Sequence, residues 1–154
     1  MRRHSPPEPE AETDAAAAEL QRTLNLLLPI RRQRLSRSER QQRAEEQALQ
    51  AVIGETHQTE QRLAEKRGAY QQIRATFMQN NGGVQQQKFL LERALQSEQQ
   101  AAEQVDNERL SLHQLAQQQI EQQQRVEQAQ QETRLRQRDV EKLEYLLEQN
   151  EVTG

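Results

Sequence analysis

Cysteine and tryptophan are absent from this 154-residue chain. No disulfide framework and no thiolate metal site can form, which fits a reducing compartment. Aromatic residues are confined to two Phe and two Tyr, and only 32% of the chain is hydrophobic. That is too little apolar matter for a thick globular core, although a seam between two helices needs only about two apolar residues per heptad. The four prolines are Pro6, Pro7, Pro9 and Pro29, so no proline interrupts the chain beyond Ile30. Long apolar runs are missing too. The longest cluster, Leu24 to Ile30, is far too short to span a bilayer. Arg2 and Arg3 are followed by prolines and acids where a secretory signal needs an apolar stretch. The expectation is a cytoplasmic protein without a membrane span.

What the chain does contain is Gln, Glu, Arg, Ala and Leu in abundance, all good helix formers. Such a bias marks a coiled coil or a long helix. Residues 1–12 are proline-rich and acidic and are expected to form a disordered tail. Thr13 or Asp14 can cap a short helix over 13–29, with Pro29 kinking or ending it. A helical hairpin is expected over 30–154, its first long helix ending near Gln79 and its second starting near Val84. Asn80-Asn81-Gly82-Gly83 is the strong breaker between them, because asparagine and glycine tolerate the positive φ that a reversal needs.

Sevenfold spacing supports this division. Leu35, Gln42, Leu49, Thr56, Leu63, Tyr70 and Phe77 form one line, with Val52 and Ile73 three residues on. A second line runs from Val84 through Leu91, Glu98, Val105, Leu112, Gln119, Val126, Thr133 and Val140 to Leu147, with Ala94, Ala101, Leu115, Ala129 and Leu143 beside it. Sustained spacing of this kind signals coiled-coil packing. Folding about Asn80/Asn81 sets Phe77 against Val84, Tyr70 against Leu91, Leu49 against Leu112, Gln42 against Gln119 and Leu35 against Val126. The shorter first arm leaves an overhang, and residues 14–28 have the length to fold back along 133–147. The fold class is therefore all-α: a long antiparallel two-helix coiled-coil hairpin with a short N-terminal helix and a disordered tail.

Three features stand out from a merely solvated helical surface. Arg31, Arg32, Arg34, Arg37, Arg40 and Arg43 crowd the start of the first long helix, offset only by Glu39. They read as a docking surface for an acidic protein, with nucleic acid as the rival. The mild overall acidity, net charge −3, and the scarcity of aromatics for stacking bases favour protein. Leu24, Leu26, Leu27, Leu28 and Ile30 cannot all face one seam, so part of this cluster is expected to meet a partner. Tyr70, Ile73, Phe77, Met78, Phe89, Leu90 and Leu91 surround the turn. Most should lock it, while Phe89 and Leu90 exceed what one seam consumes and mark a second contact surface.

Catalysis finds little footing. His4, His57 and His113 are scattered, and no histidine pair has metal-ligand spacing. Gly82-Gly83 lacks the Lys-Ser/Thr continuation of a phosphate loop. No cofactor is expected and no enzymatic activity.

An arginine-rich opening, Ile30-Arg31-Arg32-Gln33-Arg34-Leu35-Ser36-Arg37-Ser38-Glu39, follows a kinked apolar start and precedes a central turn and a long charged return helix. Together these resemble the central-stalk proteins of type III secretion systems, called SctO or YscO in injectisomes and FliJ in flagella. Their first helix often opens on apolar-Arg-x-x-Arg-x-x-Arg-Ala-Glu, and Ser38 stands where alanine is common. The resemblance implies a cytoplasmic stalk in the central hole of a hexameric secretion ATPase, contacting the export gate and secretion chaperones. It implies the ATPase at the end carrying Leu26, Leu27, Leu28, Ile30 and Arg31 to Arg43. The gate or chaperones would then meet the tip with Tyr70, Ile73, Phe77, Phe89 and Leu90.

Overall fold

The computed structural model describes the backbone of residues 9–81 and 88–153 and the side chains of 12–79 and 88–151. Two helices account for all of the described chain: α1, Pro9–Asn81, and α2, Lys88–Thr153. They pack against each other in antiparallel fashion, since Arg31 and Arg32 reach Asp139 and Glu144 while Arg62 and Lys66 reach Glu108 and Gln104. The turn glycines Gly82 and Gly83, and Val84, lie outside the described residues. Asn80 and Asn81 are the last two residues of α1 rather than part of the reversal.

Two boundaries in the first half of α1 also differ from the sequence expectation. Residues 9–12 open α1, while residues 1–8 are outside the described part. The separate short helix over 13–29 does not exist, because α1 runs through Pro29 without interruption. Proline there removes the amide that would bond the Asn25 carbonyl. Both Asn25 and Pro29 are on the solvent side, so water can satisfy that carbonyl, and the helix is held on its other side by Leu24 and Leu28, both buried.

The chain divides into two compact units, Met1–Glu46 with Arg125–Gly154 and Gln47–Gln124. In the first, the residues turned inward along α1 include Ala17, Gln21, Leu24, Leu28, Arg31 and Leu35, at steps of alternately four and three. Val126, Ala129, Thr133, Arg136, Val140, Leu143, Leu147 and Asn150 do the same along α2. This is the spacing that keeps one face of a helix against a neighbour. Leu24, Leu28, Val140, Leu143 and Leu147 make its core, with Leu35 packed on them. The expected contact of 14–28 with the end of α2 is thus made by α1 continuing onward, not by a folded-back segment. Asn150, buried at 8% exposure, closes the stripe by donating from Nδ2 to the Ala17 carbonyl at 2.9 Å.

The second unit follows the same spacing with a more polar seam. Leu63, Val105 and Leu115 are buried there, and so is Thr59, at 1% exposure. The Thr59 hydroxyl accepts a 2.8 Å hydrogen bond from Arg62 Nη2, and Arg62 Nε reaches Glu108 Oε2 at 3.5 Å. A hydroxyl so enclosed needs such a partner, since an unmade hydrogen bond there costs about 1–3 kcal/mol.

Apart from Leu91, which is exposed rather than in the seam, and Val84, outside the described residues, the stripes are those of the heptad lines, but their mutual register is not the expected one. Lys66 meets Gln104 and Arg62 meets Glu108, pairs centred on residue 85 instead of between 80 and 81. Phe77 and Ile73 accordingly share a groove with Ala94 and Ser97, while the expected partner Val84 lies outside the described residues. Leu35 packs on the cluster containing Val140 rather than against Val126. Asn80 and Asn81 are helical, and these described pairings are displaced from the expected fold point between them.

Candidate interaction surfaces

In the first unit, helix geometry sorts the Leu24–Arg43 stretch by the direction each side chain takes. Successive residues turn by about 100°, so five aliphatics in seven positions must spread round the helix. Leu28, at 8% exposure, belongs to the core and presents nothing to a partner. Leu26 at 72% and Ile30 at 48% face solvent, one turn apart. Leu27 is at the edge of the seam, two turns along the same flank from Leu20, and Leu20 and Leu146 of α2 are also exposed. Leu20 and Leu146 were not singled out in the sequence. Yet Tyr145-Leu146-Leu147 carries the same signal as Leu26-Leu27-Leu28: adjacent bulky residues of which only one can face the neighbouring helix.

The six arginines divide as well. Arg31, half-buried, approaches Asp139 at 3.8 Å, and Arg32 donates to Glu144 Oε1 at 3.1 Å. These two tie α1 to α2. Arg34, Arg37, Arg40 and Arg43 are exposed and step by three along α1, so they wind across its solvent side. Among the described residues none forms an ion pair with these four. Their charges are therefore free to act outward. Arg34 and Arg37 continue the flank that carries Leu27 and Ile30, which joins an apolar patch to a basic one.

The second unit holds the aromatic residues of the expected tip. Tyr70, Ile73 and Phe77 are half-buried in the seam, whereas Phe89 and Leu90 are exposed on the first turn of α2. Ile73 and Phe77, with Ala69, Thr76, Ala94 and Ser97, line an open groove of about 400 Å³. Small residues on the α2 side create it, because Ala94 and Ser97 cannot fill the space opposite Phe77. Tyr70 faces a different groove of about 360 Å³, edged by Arg67, Arg74, Asp106 and Arg109. The predicted tip residues are thus spread over two grooves and an exposed turn rather than one surface.

Among the described residues no group of His, Asp or Glu could hold a metal ion, and no helix is long and apolar enough to cross a membrane. The grooves are open furrows between two helices, and none of the described carboxylates is enclosed in one as a buried acid. What the arrangement offers is surface: an apolar and basic flank on the first unit, and on the second an apolar furrow and one edged by charged side chains. No family model, curated protein or solved structure matches the chain.

Proposed function

We propose that this protein is an antiparallel coiled-coil hairpin acting as the cytoplasmic stalk of a type III secretion system. The end carrying Leu26, Ile30 and the free arginines enters the central channel of the hexameric secretion ATPase and stimulates it, and the Tyr70–Leu90 region faces the export gate and chaperones. The observation that carries this reading is the row Arg34, Arg37, Arg40 and Arg43, exposed and without an ion pair among the described residues, beside exposed aliphatics on an unbroken helix. Four unpaired cations on a slim helix pair can interact with acidic side chains of successive ring subunits. The chain carries no chemistry itself. Contacts that differ between nucleotide states would bias the ring toward one of them, which is the only way a ligand can shift such an equilibrium. No cofactor enters this role.

ATP hydrolysis by the secretion ATPase encoded in the same genome tests it. Addition of the chain should raise the rate, and the Arg34→Glu/Arg43→Glu variant should bind less and stimulate less, with the difference shrinking as salt rises. A chain that serves only as a spacer would leave both binding and hydrolysis unchanged, and that result would refute the stalk reading.

A further inference from the structure

One side of α1 is occupied by α2; the opposite side carries a second stripe that no described residue covers. Ala16, Glu19, Thr23, Leu26, Ile30, Gln33, Arg37 and Arg40 recur at alternating steps of three and four, and all are exposed. The spacing is that of a helix-packing seam, and its order along the helix is acidic, then apolar, then basic. Reversing the stripe about residue 28 maps it onto itself. Glu19 then falls on Arg37, Thr23 on Gln33 and Leu26 on Ile30.

A surface that matches its own reversed copy is what a twofold symmetric contact requires, since each residue must meet its counterpart twice. We propose that this face of α1 binds a second copy of the chain, antiparallel and centred on residue 28. Two Leu26–Ile30 contacts lie at the middle and a Glu19–Arg37 ion pair at each end. The charges select this partner and this direction: a parallel copy would oppose Glu19 to Glu19 and Arg37 to Arg37, an arrangement of like charges that is disfavoured. Among the described residues neither Glu19 nor Arg37 has an ion-pair partner within the chain, so both remain available. A single helix face is a small interface, of the weak and reversible class that buries below about 1,200 Å². The dimer goes beyond the stalk reading and does not depend on it. It would cover Leu26, Ile30 and Arg37, so a copy in this dimer could not offer those residues to another partner.

Sedimentation of the isolated full chain at low salt tests the proposal. The apparent mass should climb with concentration from 18.0 kDa toward twice that value. Glu19→Arg alone and Arg37→Glu alone should each weaken the dimer by about tenfold or more, because symmetry removes two pairs and puts two repulsions in their place. An equimolar mixture of the two single variants should associate again, as should the chain carrying both substitutions, since each restores opposite charges across the contact. Ile30→Glu should also yield monomer with unchanged helix content, its side chain being exposed in the single chain. A wild type that stays monomeric at every concentration would overturn the proposal. So would single variants that dimerise like wild type, or a mixture that fails to recover. Because ATPase is absent, none of these outcomes depends on whether the chain stimulates hydrolysis.

Discussion

Neighbouring residues of the same type have opposite roles here, and the seam decides which. Leu143 is 4% exposed in the core of the first unit, whereas Leu135, two turns earlier on α2, is 59% exposed. Truncating the first removes atoms packed on Leu24 and Leu28 and leaves a void. Leu143→Ala should therefore cost about 2–5 kcal/mol and Leu135→Ala less than about 0.5 kcal/mol in urea unfolding followed by circular dichroism. Equal effects would mean that the seam does not carry the stability of this unit. Much of the sorting by residue was legible in the sequence, because a heptad line states which leucines face inward. The division of the arginines was not. That Arg31 and Arg32 are engaged while Arg34 to Arg43 are free depends on where Asp139 and Glu144 fall on α2, and hence on register, which spacing along one helix cannot supply.

At the scale of the element, α1 contains three residues that oppose helix: Pro29, Gly54 and Gly68. Pro29 marks a boundary by every local rule, and the expected break there followed from propensity alone. Burial of Leu24 and Leu28 on α2 overrides it, the usual outcome when tertiary packing and local preference disagree. The local cost is still present. Pro29→Ala restores an amide that can bond the Asn25 carbonyl and should raise stability by up to about 3 kcal/mol, since the proline is exposed and no packing is lost. Gly54 and Gly68 have no atom within 4 Å of where a Cβ would stand. Alanine at either position should add about 1 kcal/mol by removing the entropy that glycine loses in a helix. Thermal unfolding of the three variants separates these effects, and a proline variant no more stable than wild type would show that α1 is not continuously helical through residue 29 in solution.

At the largest scale, the antiparallel packing of two long helices was legible and their register was not, and one physical fact explains both. A stripe that repeats every seven residues identifies its buried face without fixing how far the opposing stripe has slid along it. Leu49, Leu63, Val105 and Leu112 therefore face inward under the expected pairing and under the observed one alike. What distinguishes the two is where the densest apolar residues meet. Leu24 and Leu28 find Val140, Leu143 and Leu147, and Asn150 finds the Ala17 carbonyl and the Gln21 side chain. A buried asparagine has this effect because a slipped register leaves its amide without a partner, so it disfavours alternatives that apolar residues would tolerate. The observed pairing makes a sharp prediction for cysteine crosslinking, helped by the absence of native cysteine. Cysteines replacing Lys66 and Gln104, whose side chains meet at 3.2 Å, should join within one chain through a short bismaleimide. Cysteines replacing Leu49 and Leu112 should not, because pairing centred on residue 85 displaces them by about nine residues, or roughly 13 Å along the helix axis. Crosslinked monomer from the first pair supports both the hairpin and its register. Efficient crosslinking of the second pair would restore the pairing centred between residues 80 and 81, and exclusively interchain products from either would replace the hairpin with helices shared between two chains.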